Sequence, residues 1–415
     1  MKPILLAVVL FFFLGCGSSL RPRAAAVNGS ADETASKVRG DALKTEIVVG
    51  AARAELYFPM LEGRRVAVVG NHSSLVGDRH LVDVLLDAGI NLVKVFGPEH
   101  GFRGTAADGE RVESGVDSAT GLSIISLYGA NLRPTKQQLS DVDIIVFDIQ
   151  DVGVRFYTYI STMTYIMEEA ARYGIPVVVL DRPNPLRHYI DGPLLEPAHA
   201  SFVGLHPVPV VYGMTIGEYA LMVNGEGWLE NGLVCDLTVI PLEGFHGSAR
   251  YQLPVPPSPN LPDMRSVYLY PSLCYFERTD ISLGRGTDRP FQLYGHPDFN
   301  PEVFTYRFTP RSLQASVNPP QLGNECHGRD LSAIPLEELM EKRQIDLRYL
   351  LDAYHHFPDK DRFFLGSFER LSGTVRMREQ IIAGWTEQQI RESWQPGLES
   401  FKPVRAKYLI YPDTE

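Results

Sequence analysis

Five short apolar runs, each closing on glycine or a polar cluster, constrain this chain more than any other feature. They are Arg65–Val69, Asn91–Phe96, Ser123–Leu127, Val142–Phe147 and Pro176–Leu180. Their length and their valine, isoleucine and phenylalanine content are those of strands buried on both faces. Between them lie stretches of helical period. Arg79–Ala88 places Leu81, Val84, Leu85 and Ala88 on one side, and Thr158–Tyr173 carries a stripe of Ile160, Met163, Met167 and Ala170. A short helix is also predicted near Thr135–Leu139, and Leu237–Ile240 is a candidate further strand. Strand and helix alternating at this spacing predict an α/β fold: a Rossmann-like, mostly parallel sheet with helices on both faces.

Right-handed crossovers bring the carboxyl ends of such strands to one edge, where open α/β sheets bind ligands. The first strand delivers Asn71 and His72 there. The second breaks at Gly97-Pro98 and delivers Glu99, His100 and Arg103. The fourth ends in Asp148, Gln150 and Asp151, followed by Arg155 and Tyr157, and the fifth in Asp181, Arg182 and Asn184. Acidic, amide and cationic groups converging from separate strands point to a site. Glu99 and His100 supply an acid/base pair, and Arg103 a substrate clamp.

Several ligand classes are excluded. The first strand–helix junction, Gly70 to Gly77, lacks G-x-G-x-x-G, and the chain has neither G-x-x-x-x-G-K-[ST] nor G-x-S-x-G. With 39 basic and 50 acidic residues the net charge is −11, which offers no basic face for nucleic acid. Cys235, Cys274 and Cys326 show no CxxC spacing and read as buried free thiols. At the N-terminus Lys2 precedes the apolar run Ile4–Leu14, which ends in Phe13-Leu-Gly-Cys16. This is similar to the lipobox of bacterial lipoproteins, so residues 1–20 are expected to be a signal peptide with lipidation at Cys16. Residues 21–45, rich in Ala, Ser and charge, read as a flexible tether.

Further along, Thr215-Ile-Gly-Glu218 is a capping box opening a helix. Pro254 to Pro262 holds prolines that forbid helix and central strand, and it reads as a stiff extended segment between lobes. Glu277 to Asp280 and Gly284-Arg285-Gly286-Thr287 suit contact with an anion or a sugar. Leu336–Tyr354 and Glu387–Gly397 look helical, and Trp385 and Trp394 are each core or binding platform. These divisions predict a catalytic lobe over 46–240 and an auxiliary α+β lobe over 241–415 that closes the cleft.

The blocks Gly97–Gly104, Asp148–Tyr159, Leu180–Pro185, Gly213–Glu218, Pro257–Asn260 and Gly284–Thr287 resemble the exo-β-N-acetylmuramidases, glycoside hydrolase family 171, long known as a domain of unknown function. The resemblance runs from about Glu46 to the C-terminus. It implies an active site between a Rossmann-like lobe and a C-terminal lobe, and release of N-acetylmuramic acid from the non-reducing end of peptidoglycan fragments. The family's proposed catalytic glutamate carries over to Glu99. Glycoside hydrolysis usually needs a second carboxyl, for which Asp148, Asp151 and Glu277 are candidates. A participating N-acetyl group is the alternative. Arg155, Arg182 or Arg285 would clamp the lactyl carboxylate. Asn71, His72, His100, Arg103, Gln150, Tyr157, Asp181, Asn184, Asn260, Glu277 and Thr287 complete the expected substrate contacts. The reading calls for no cofactor, no metal and no nucleic acid, and for a membrane only through the lipid anchor in a bacterial cell envelope. Two rivals stand beside it: a non-catalytic lipoprotein that binds muropeptides, and a metal-dependent hydrolase built on Asp148, Asp151 and His100.

Overall fold

Along Val66–Val69 successive side chains enter opposite apolar layers, and both layers are filled. Val66 and Val68 pack with Ile144, Val146, Val178 and Leu180 in one cluster. Ala67 and Val69 pack with Ile145, Phe147, Val177 and Val179 in another. This period of two, apolar on both sides, produces a sheet with helices above and below. The computed structural model describes residues 46–99, 101–102, 114–247 and 249–413.

The strands are β1 (Val66–Gly70), β2 (Leu75–Val76), β3 (Arg79–His80), β4 (Leu92–Gly97), β5 (Gly115–Val116), β6 (Ser123–Ser126), β7 (Ile144–Asp148), β8 (Val177–Leu180) and β9 (Leu237–Ile240). Seven form the main sheet in the order β5-β6-β4-β1-β7-β8-β9. All its pairings are parallel except that of the edge strand β5 with β6. Leaving β5 aside, the six parallel strands run 3-2-1-4-5-6 in chain order, the doubly wound arrangement. The expected α/β sheet is therefore present, with every predicted strand within two residues of its place.

One face is covered by α1 (Ala54–Leu61) and α2 (Leu81–Asp87) through Tyr57, Leu61, Leu81 and Leu85. After α3 (Lys136–Leu139), the other face carries α4 (Tyr159–Tyr173) and α5 (Ile216–Gly225) through Ile160, Met163, Met167, Tyr219 and Val223. The capping box at Thr215 and Glu218 forms as predicted. Beyond α6 (Met264–Leu273), strands β10 (Leu293–His296), β11 (Tyr306–Phe308) and β12 (Cys326–Asp330) make a small antiparallel sheet ordered β10-β12-β11. The apolar cluster on the α4 face continues without a break to Phe401. Contacts join Glu46–Glu415 into one compact unit. Cys235, Cys274 and Cys326 are free and buried, as expected.

Three predicted helices differ from what forms. Arg79 and His80 belong to a hairpin, pairing with Val76 and Leu75, because Gly77 turns the chain at φ 59°. The helix starts at Leu81, capped by His80 Nδ1, which accepts from the Val82 N–H at 3.2 Å. Leu336–Tyr354 is two helices, Leu336–Glu341 and Arg348–His356. Arg343 interrupts them at φ 45°. The last helix does not stop near Gly397 but runs Glu387–Ala406, through Pro396 and Pro403. Both prolines are exposed, while Ile390, Trp394, Leu398 and Phe401 bury one stripe. Burial of that stripe outweighs the roughly 3 kcal/mol that each interior proline costs. Trp394 is therefore core, whereas Trp385 is 41% exposed.

Candidate active site

The strand order reverses between β1 and β7, and this is where a doubly wound sheet opens a crevice at its carboxyl edge. Gly70 is paired with Asp148 at that point. The polar groups delivered there knit to one another. Asp148 is fully buried, and both its oxygens accept from Arg182, Nε at 2.6 Å and Nη2 at 2.8 Å. Asn71 Oδ1 accepts from Ser73 N at 2.9 Å and Ser73 Oγ at 2.6 Å. Ser73 Oγ accepts in turn from Gln150 N at 3.0 Å. The Gln150 amide donates to the carbonyls of Asp151 and Pro183, each at 2.7 Å.

Asp151 Oδ2 accepts from Gly153 N at 2.8 Å and from the Tyr212 hydroxyl. Burial pushes its carboxyl up to about 6 against those bonds. Asp181 accepts from Gly217 N and Thr215 Oγ1, both at 2.8 Å, and from Tyr411 OH at 2.6 Å. Burial pushes it up to about 7. Asn184 donates to Met214 O at 2.8 Å and lies so close to Gly153 that a Cβ there would strike its amide.

These groups form a buried frame beneath the crevice and do not line it. Arg155 is likewise internal. Its guanidinium donates to Pro193 O at 2.9 Å and to Val208 O and Leu371 O at 2.8 Å, pinning two loops and the helix Phe368–Ser372. Burial lowers its pKa to about 10, still charged at neutral pH. The three expected arginine clamps are thus unlike: Arg155 and Arg182 are committed inside the frame.

Above the frame lies a cleft of about 210 Å³. Glu99, at the end of β4, stands in its wall with Thr158 and Tyr159 from the start of α4. Thr158 Oγ1 donates to Glu99 Oε2 at 3.1 Å, and the Tyr159 hydroxyl lies 3.5 Å from the Glu99 carbonyl oxygen. Tyr157 packs edge-on against Tyr159, ring centroids 4.8 Å apart, and donates to Pro257 O at 2.7 Å. Burial first, and nearby charge including Glu99, hold both phenols protonated. They are therefore neutral donors beside an acid.

The C-terminal part of the chain supplies the rest of the lining. Ser258, Asn260 and Leu261 come from the proline-rich segment, Tyr270 from α6, and Glu277, Arg285 and Phe291 from beyond it. Glu277 and Arg285 form an ion pair, with the Arg285 guanidinium 5.1 Å from the Phe291 ring centre. Asn260 is anchored by Nδ2 donating to Ala315 O at 2.9 Å. His72 Nε2 lies 2.7 Å from Pro256 O and ties β1 to the same segment.

Of the residues singled out from sequence, the cleft thus gathers Glu99, Tyr157, Asn260, Glu277 and Arg285. Asn71, Gln150, Asp151, Asp148, Asp181, Arg182 and Asn184 are buried at the carboxyl ends of the strands and are not among its lining residues. Thr287 closes its own turn, donating to Gly284 O at 2.7 Å. His100 and Arg103 lie outside the described residues, as does Cys16. Asp148 and Asp151 make no metal-binding set, since Arg182 and Tyr212 occupy them, and among the described residues no trio of His, Cys, Asp or Glu is placed to hold an ion.

Sequence reasoning missed Tyr128, Thr158, Phe202, Tyr270 and Phe291. Thr158 sat inside the recognised Asp148–Tyr159 block and was findable. The aromatic residues read as ordinary core.

Comparison with known proteins places this cleft in context. The profile described as "Exo-beta-N-acetylmuramidase NamZ, N-terminal" matches residues 66–265, and its C-terminal counterpart matches 268–411. The chain is 39% identical over 372 residues to the peptidoglycan β-N-acetylmuramidase NamZ of Bacillus subtilis (strain 168), covering 86% of this chain and 89% of that one. A crystal structure of a DUF1343 family protein from Bacteroides fragilis superposes with a TM-score of 0.83 at 46% identity, covering 89% of this chain and all of that one. A second from the same organism gives 0.74 at 29% identity, covering 88% and 99%. Both family models and the relative at 39% identity span most of the folded part, and the chain belongs to the NamZ exo-β-N-acetylmuramidase family of glycoside hydrolases.

Proposed function

We propose that this protein releases N-acetylmuramic acid from the non-reducing end of peptidoglycan fragments, with Glu99 as general acid and Glu277 as the second carboxylate. The observation that carries the reading is the placement of Glu99 in the cleft wall, held by Thr158 and facing a lining that also contains Glu277 and Arg285. Glycosidases work with two carboxyl groups flanking the scissile bond. At about 210 Å³ the cleft is smaller than common ligand pockets and suits a single sugar unit, in keeping with exo action. The direct test is incubation of the purified protein with a chromogenic N-acetylmuraminide. Turnover is expected, and tight binding without turnover would overturn the reading in favour of a muropeptide-binding protein.

Arg285 is the clamp for the lactyl carboxylate in this reading, since it alone of the three candidate arginines lines the cleft. A charge-assisted bidentate contact contributes on the order of 1.5–3 kcal/mol. A muraminide should therefore be cleaved about 10- to 150-fold better than the matching glucosaminide, which lacks only the lactyl ether. In Arg285→Ala that preference should collapse. Equal rates on the two substrates with the native protein would count against any clamp.

The reading extends to an envelope location through a lipid on Cys16. Fractionation of cells expressing Cys16→Ser should find the protein in the soluble fraction, where the native form is found with membranes. Unchanged membrane association would rule the anchor out.

A further inference from the structure

Thr158 stands at the N-cap of α4, where a threonine hydroxyl ordinarily accepts from a backbone N–H of the first turn. Thr135, Thr215 and Thr386 do so at their own helices, accepting from the N–H of Gln138, Glu218 and Gln389. Thr158 makes no such cap. Its hydroxyl turns to the cleft and donates to Glu99 Oε2 at 3.1 Å. The next residue, Tyr159, sets its hydroxyl 3.5 Å from the main-chain oxygen of Glu99 and is wedged against Tyr157. The first turn of α4 thus addresses both the side chain and the backbone of Glu99.

We propose that Thr158 is a positioning residue that fixes the Glu99 carboxyl and eases its loss of a proton during glycoside cleavage. The inference rests on the reading of Glu99 as general acid. A hydrogen bond into Oε2 makes that oxygen the poorer proton site, which directs the acidic proton to Oε1. As the proton passes to the leaving oxygen, the carboxylate that forms accepts more strongly from the same hydroxyl. The contact is therefore worth more in the transition state than in the ground state, which is the condition for raising kcat. Among the described residues, the other charged and titratable groups that line the cleft with this carboxyl are Glu277, Arg285 and the phenols of Tyr128, Tyr157, Tyr159 and Tyr270. His100 and Arg103 follow it in sequence.

The test uses the full-length protein and a natural muramyl disaccharide, comparing Thr158→Val, Thr158→Ser, Glu99→Gln and the double variant Glu99→Gln/Thr158→Val. Losing one hydroxyl donor to a carboxylate should lower kcat about tenfold in Thr158→Val, with KM changed less than about twofold. The alkaline limb of the pH–rate profile should move upward by about half a unit to one unit, since the carboxylate has lost a donor. Thr158→Ser should stay within about twofold of the native rate, and Thr158→Val should cause no further loss once Glu99 is Gln.

A Thr158→Val protein with native kcat and an unmoved alkaline limb would overturn the inference. So would equal losses in Thr158→Ser and Thr158→Val, or a full additive loss in the double variant. If valine prevents folding, Thr158→Ala against Thr158→Ser makes the same comparison. Near-native turnover in Glu99→Gln would remove the reading of Glu99 and this inference with it. An inactive Glu99→Gln beside an indifferent Thr158→Val removes the inference alone.

Discussion

Glu99→Gln should lower turnover of a natural muramyl disaccharide by about 100- to 10,000-fold, the usual worth of general acid–base catalysis. The substitution keeps the shape of the side chain, including an oxygen able to accept from Thr158 Oγ1, so the fold and ligand affinity should survive. Nitrophenyl aglycones leave without much protonation, so the loss on them should be distinctly smaller. The ratio of the two losses is the informative quantity, because a binding role would depress both substrates alike. Near-normal turnover in the variant would move the proton transfer elsewhere in the cleft, to Glu277 first, since Asp148 and Asp151 do not line it.

Asp148 invites the opposite expectation, a large effect on stability and little on the chemistry. Its carboxylate and the Arg182 guanidinium are both almost wholly withdrawn from water, with side-chain exposures of 0% and 2%. Asp148→Ala leaves that guanidinium buried beside Leu75 O without its counter-charge. Breaking a buried pair from one side costs about 3–5 kcal/mol, because the surviving ion keeps its desolvation penalty. Denaturant unfolding should show that loss as a lower midpoint. The variant in which both members are replaced by apolar residues should recover part of it. The pH–rate profile of the remaining folded Asp148→Ala protein should match that of the native one. A displaced profile, with stability intact, would instead return Asp148 to the reaction.

These two carboxylates mark where sequence reasoning holds and where it ends. Glu99 and Asp148 look alike in the sequence: each stands at the end of a buried apolar run, each lies in a block that resembles the family's, and each has an arginine within the same group of blocks. Their fates diverge because of contacts that no local pattern records. Arg182 reaches Asp148 across 34 positions, Arg155 reaches Leu371 across 216, and Arg285 meets Glu277 in the cleft. An arginine in a motif is thus equally consistent with a substrate clamp and with a structural rivet. Only the depth of each guanidinium and the identity of its acceptors separate the two.

What the sequence determined by itself is the set of properties carried by neighbours along the chain. The apolar runs of β1, β4, β6, β7, β8 and β9, the capping box at Thr215, and the break at Gly97-Pro98 all follow from side-chain period, from proline's missing donor and from capping chemistry. Charge and missing fingerprints excluded whole classes of ligand in the same way. The tertiary structure decided the rest. The order 3-2-1-4-5-6 placed Gly70 beside Asp148 and opened the crevice there. Packing carried the last helix through two prolines. The C-terminal part supplied Glu277, Arg285 and Tyr270 to the cleft that Glu99 lines, and the approach of the loop after β4 to the first turn of α4 gave the Thr158 hydroxyl the Glu99 carboxyl as partner in place of a backbone cap. Backbone propensity acts over a few residues, whereas a buried polar group takes whichever partner the folded chain brings within about 3 Å, and leaving it unpaired costs more than any local preference can supply.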